Sequence, residues 1–335
     1  MGKIGEQFDQ LFDRIERDDQ SKADIMVDLK QLKMEKNGGL KLLGTGEPDF
    51  EMTDYALSQI FSKLNIPVSY GKRLMIERPD LVADQFNYWV QVEKNRTLLV
   101  RYREQLAGRS VRAFLSDKYA PLDNQDVGEI LKAVFDTVHM DLTDYHLDDQ
   151  RLHVRMTFPD MSDDVGVDKD GEEDKLKIGV DIVNSEVGAS SMTVTPLIWR
   201  LICSNGLRAW KEDGETFRQR HIHVKPEELL NRTIEAIGSS VNRGGEMFED
   251  FKKTRSIYVG EPLTVIEKLS KKELYGKELI DAVKGNFEIE PEHNVFGLIN
   301  AYTRTARALP NDRRLEMEKL AGRLMTDDLL KEFVA

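Results

Sequence analysis

Arginines set two residues apart on an extended segment can grip successive phosphates, and that chemistry is what the middle of this chain offers. Arg101 and Arg103 lie on a run of alternating apolar and polar residues from Arg96 to Arg103. Arg109 and Arg112 lie on a second run, to Leu115, that can return antiparallel after the turn at Ala107-Gly108. Seven cations between Lys94 and Lys118 stand against Glu104 and Asp117, a local charge of +5 within a chain whose net charge is −12. Arg101, Arg103, Arg109, Arg112 and Lys118 are therefore expected to face phosphates, through cationic contacts that leave bases open for pairing. The alternative is that these arginines pair with carboxylates across neighbouring strands.

A second basic set comprises Arg200, Arg208, Arg218 and Arg220, with Lys211 and Lys225 nearby. His221 and His223 alternate within it and would share a face of an extended segment, yet no Cys or Glu beside them completes a zinc signature. Phe217, next to Arg218, is the aromatic residue best placed to stack on a base. Trp199, Trp210 and Tyr119 sit in apolar stretches that favour core packing.

The rival chemistry is metal-dependent hydrolysis. Asp160 follows Pro159 at the end of an expected strand and Glu173 precedes Lys175 at the start of the next, a pair of carboxylates and a lysine that could position Mg²⁺ and a water. Eight carboxylates fall between Asp160 and Asp174 with Lys169 as the sole cation, so the same spelling also describes a solvated acidic loop. The run Asp168 to Asp174 does not meet the calcium-loop pattern at either end, and Gly44-Thr-Gly46 lacks the third glycine of a dinucleotide fingerprint. No nucleotide-hydrolysis motif is present and no histidine accompanies Ser185, Ser190 or Ser191 in sequence. No cofactor is expected, Mg²⁺ entering only under the nuclease reading.

The elements that must position these groups follow from periodicity. Phe8, Leu11, Phe12 and Ile15 space one helix face, and residues 1–36 read as a helix or two. Thr53 caps a helix carrying Tyr55, Ile60 and Phe61, another runs from about 80 to 91, and Asp123 or Asn124 caps one through Val127 to Phe135. Strands are expected near 151–158, 175–183 and 191–195, then a helix from about 196 to 211. Pro226 opens a mostly helical region at 226–255, 262–284 and 293–332. The expected fold is α+β, a small antiparallel sheet packed with long helices and followed by a mostly helical C-terminal region. The expected division is an N-terminal helical segment and loop at 1–52, a core at 53–225 and a helical region at 226–335.

The block Arg112-Ala-Phe-Leu-Ser-Asp-Lys-Tyr-Ala-Pro-Leu-Asp-Asn124, with the runs 179–188, 201–206 and 297–303, resembles the phage and plasmid family called domain of unknown function 932. The resemblance spans roughly residues 55 to 325 and implies a mobile-element protein with no agreed chemistry. The element order is also similar in pattern to single-strand annealing proteins of the RAD fifty-two type, which implies a homo-oligomer whose partner is single-stranded DNA. A non-catalytic interaction or anti-defence protein is the remaining alternative. A 40% hydrophobic, 32% charged composition without an apolar run of about 20 residues fits a cytoplasmic protein with no membrane partner. One cysteine, Cys203, excludes an intrachain disulfide.

Overall fold

A computed structural model describes residues 2–46, 49–106, 108–135, 137–167, 173–200, 205–208, 217–222 and 226–325. The first half runs α1 (Gly2–Asp19), β1 (Lys22–Asp28), β2 (Leu32–Met34), β3 (Leu40–Leu42), β4 (Phe50–Met52), α2 (Asp54–Lys63), α3 (Val68–Glu77), α4 (Pro79–Val92), β5 (Thr97–Gln105) and β6 (Gly108–Ser116). The second half runs α5 (Asn124–Phe135), β7 (Asp141–Leu147), β8 (Leu152–Val167), β9 (Glu173–Asn184), β10 (Met192–Arg200), β11 (Asn205–Arg208) and β12 (Phe217–Gln219). It ends with α6 (Pro226–Asn242), α7 (Gly244–Lys253), α8 (Pro262–Lys272), α9 (Lys277–Ile289), α10 (Val295–Ala306) and α11 (Asn311–Arg323). The α+β class and the helical C-terminal region stand.

The sheet is not single and small. Six strands form one sheet in the order β1-β5-β6-β4-β3-β2, and β7 to β12 form another in which β11 and β12 pair different stretches of β10. The first sheet grows from the hairpin read in the sequence, β5 meeting β6 from Leu98↔Ser116 to Gln105↔Gly108. Gly108 takes φ +140° there, a backbone region closed to side chains. The Thr53 hydroxyl accepts the Ala56 amide and starts α2 as expected. The rest of residues 1–36 departs from the helical reading. β1 pairs antiparallel with β5 across Lys22↔Arg103 to Asp28↔Thr97, so α1 is the only α-helix there among the described residues.

Two large apolar cores result. One, from Val27 to Phe114, lies between the first sheet and α2 to α4. The other combines Leu11 and Ile15 of α1 with residues from Leu122 to Leu324. The division expected after residue 52 is therefore displaced, because β1 to β4 belong to the same core as α2 to β6, whereas α1 packs on α5 and β7 of the second. A small cluster of Leu99, Ala113, Leu115 and Val187 joins the first sheet to the segment after β9.

In the second sheet, Leu176, Ile178, Val180 and Ile182 share one face of β9 and Asp181 points to the other, yet all five are buried. Helices cover both sides: Gly244 of α7 lies against Ile178, and Glu318 of α11 reaches Asp181 through the guanidinium of Arg155. The buried β9 residues thus meet either apolar or paired polar neighbours. Gly179 lets β8 come close, since a Cβ there would lie 2.1 Å from the Met156 carbonyl oxygen. The helix expected at 196–211 is overturned: Pro196 to Arg200 pair with Val180 to Leu176 of β9, and Asn205 to Arg208 form β11. The acidic stretch expected as a loop continues β8 as far as Val167, and Asp163 grips Lys252 at 2.6 Å.

Candidate nucleic-acid interface

The two sheets are locked together by the turn that leaves β9, and this lock decides which arginines reach the surface. Asn184 donates to the Leu122 carbonyl at 3.0 Å and to Asn124 Oδ1 at 2.9 Å. Glu186, 1% exposed, accepts from Lys22 Nζ at 2.7 Å, Arg112 Nη2 at 2.6 Å and the Asn124 amide at 2.8 Å. Its carbonyl accepts from Arg101 Nη1 at 2.9 Å and from the Tyr119 hydroxyl at 3.2 Å. Gln59 closes the ring, donating to the Val187 carbonyl and accepting the Phe114 amide. Burial works against the Glu186 charge, but Lys22, Arg112 and the Asn124 amide outweigh it and hold the carboxyl at about 2.

Arg101 is buried beneath this turn with Asp24 at 2.9 Å and Asp123 at 2.7 Å. Burial raises the Asp123 carboxyl while Arg101 draws it down, and the net direction is upward. Gly188 ends the turn at φ +77°, where a Cβ would meet Leu115 Cδ2 at 2.9 Å. Gly188→Ala should lower stability by about 1–2 kcal/mol in chemical denaturation, with an unchanged denaturant slope as the mark of an intact native fold.

The nine cations read as phosphate ligands thus divide. Arg101, Arg112 and Arg200 are buried, with Arg200 held by Asp174 at 2.7 Å and Glu290 at 3.3 Å. Their desolvated charges are matched by carboxylates, an arrangement that argues against the phosphate contact expected of these three. Arg103 bridges Asp18 at 2.6 Å and Asp149 at 2.9 Å, and Arg109 pairs with Glu104 at 2.6 Å beside the Tyr102 ring. The Arg208 side chain lies outside the described residues, as do Cys203, Trp210 and His223. Lys118, Arg218 and Arg220 are exposed.

These three share one surface. The Ala120 amide donates to the His221 carbonyl at 2.8 Å, laying residues 118–120 beside 220–222, and β12 carries Arg218 along the edge of β10. In these segments the ring of Tyr119 and that of the buried His221 lie nearly parallel, 5° apart with centroids at 5.1 Å. Burial, then the Arg101 charge, push the His221 imidazole down to about 4, so the ring is neutral at pH 7. Phe217, expected to stack on bases, is instead covered by Arg232, whose guanidinium carbon is 4.7 Å from the ring centroid. Arg232 also donates to Gln219 Oε1 at 3.1 Å. Nothing in its local sequence signals either contact, because both depend on α6 folding back against β12.

The strand register sets the residues of the Mg²⁺ reading apart. Thr157 pairs with Gly179 and Val167 with Glu173, so Asp160, in the bulge just after Thr157, is several strand positions from Glu173, while Lys175 lies opposite Asp164. Asp160 contacts His139 at 3.1 Å instead. Among the described residues no group of three or more His, Cys, Asp or Glu could hold a metal ion, and no helix is long and apolar enough to cross a membrane.

A family model described as domain of unknown function 932 matches residues 112–273. The match takes in β6 from Arg112 onward, the Glu186 turn, the exposed edge and the helices as far as α8. No curated protein matches, and no solved structure does.

Proposed function

From a chain that carries domain of unknown function 932 across its centre, we propose that the protein binds single-stranded DNA, holding it for annealing in homologous recombination of a phage or other mobile element. The observation that carries this reading is that exposed Lys118, Arg218 and Arg220 lie on adjoining segments, joined by the Ala120–His221 hydrogen bond and the Tyr119–His221 stack. Exposed cations hold the backbone of a single strand through its phosphates without reading its sequence, while the stack of half-buried Tyr119 on buried His221 ties together the two segments that carry them. The buried arginines contribute indirectly, because the Glu186 turn fixes both segments of this surface. The strand separation of Asp160 and Glu173 favours binding without cleavage.

Annealing along a strand longer than one surface calls for several copies, and homo-oligomers are part of the proposal. Labelled oligothymidylate should raise its anisotropy with protein equally with and without Mg²⁺, and stay uncut. Mass photometry of the same mixtures should show multiples of the 38.5 kDa chain. Mg²⁺-dependent cutting, or a strict monomer on DNA at micromolar concentration, would count against the annealing reading.

A further inference from the structure

Beside the end of α1 lies a cleft of about 630 Å³, bordered by Arg14, Arg17, Asp18, Arg103, Asp148 and Asp149 among others. That volume suits a small ligand of nucleotide size. Its charges are unequally engaged. Arg103 holds Asp18 and Asp149 at once, and Asp148 Oδ1 accepts the amides of Gln150 and Arg151 in its own turn, each at 2.8 Å. Asp148 Oδ2 meets His146 Nε2 at 3.2 Å. Arg14 donates to the Leu147 carbonyl at 2.7 Å and Arg17 to the Asp13 carbonyl at 3.0 Å, and neither has a carboxylate partner among the described residues. Spaced three apart, they project from one helix face.

We propose that this cleft binds the phosphate dianion of a small phosphomonoester, clamped by Arg14 and Arg17, with Asp148 and Asp149 receiving hydroxyl or amine donors from the rest of the molecule. Two guanidiniums match two negative charges and can each present paired N–H groups to phosphate oxygens. Asp148 and Asp149 line the same cleft, and their carboxylates keep lone pairs beyond the contacts above, which favours a nucleoside monophosphate over inorganic phosphate. The site is separate from the Lys118, Arg218 and Arg220 surface and goes beyond the DNA-binding reading.

Calorimetric titration of the full chain with thymidine monophosphate, thymidine and inorganic phosphate tests it. Saturable binding of the monophosphate is expected, weaker binding of phosphate, and none of thymidine. Arg14→Ala with Arg17→Ala should weaken the monophosphate about a hundredfold, roughly tenfold per charge-assisted clamp, while melting temperature and oligothymidylate affinity stay as in the parent. Absence of monophosphate binding at millimolar concentration, equal binding of thymidine, or equal affinity of the double variant would overturn the proposal. Displacement of the monophosphate by an oligothymidylate without terminal phosphate would overturn it too, by making the cleft part of the strand path.

Discussion

Glu186→Ala should destabilise the protein by about 3–5 kcal/mol, the range for removing one partner from a buried ion cluster. The substitution leaves Arg112 desolvated without its carboxylate, leaves Lys22 with only Asp18 and Asp19, and frees the Asn124 amide at the start of α5. Chemical denaturation followed by far-ultraviolet circular dichroism measures it. A loss below about 1 kcal/mol, the scale of an ordinary surface change, would show that the turn does not lock the sheets. The same carboxyl sets an acid limit. Its folded value of about 2 lies below the ordinary 4.5, so its contribution is complete above pH 4.5 and disappears as the pH falls towards 2. The difference corresponds to about 3 kcal/mol, and Glu186→Gln should flatten stability against pH in that window. His221 acts in the same direction at higher pH. Its folded value of about 4 is below the ordinary 6.5, so stability is full above 6.5 and declines as the pH drops to 4.

Arg101→Ala should cost a similar amount, about 3–5 kcal/mol, because it strips Asp24, Asp123 and the Glu186 carbonyl of one guanidinium. Its effect should combine non-additively with Glu186→Ala, since both residues belong to one contact network. Lost DNA binding in an Arg101→Ala, Arg103→Ala protein would therefore report unfolding first, and the melting temperature must accompany any affinity. An Arg101→Ala protein that melts like the parent would return Arg101 to the candidate DNA ligands.

What the sequence discloses and what it hides follow from range. The β5–β6 hairpin, the Thr53 cap and the Pro226 start are local signals, written in alternation and in single residues. The fate of Arg101 and Arg112 is not local. Their partners Asp24 and Glu186 lie 77 and 74 residues away, so a charge count over a short window finds a basic patch where the fold has a neutral core. The second half of β10 escapes a strand reading because Met192 to Arg200 is buried on both faces and its apolar run shows no period of two. The three-residue strands β2, β3 and β4 are too short to show any period. Lys118, Arg218 and Arg220 are legible as cations, but their convergence depends on the pairing of β12 with β10 and of Ala120 with His221.

The most direct measurement is the salt dependence of oligothymidylate binding for the parent and for the triple substitution Lys118→Ala, Arg218→Ala, Arg220→Ala. All three side chains are exposed, so the melting temperature should stay within about a degree or two of the parent. Each lost phosphate contact lowers the slope of log affinity against log salt by about 0.7 on single strands, and the expected fall for three is about 2. A triple variant with the parent's affinity and slope would contradict the assignment of this edge as the DNA-binding surface.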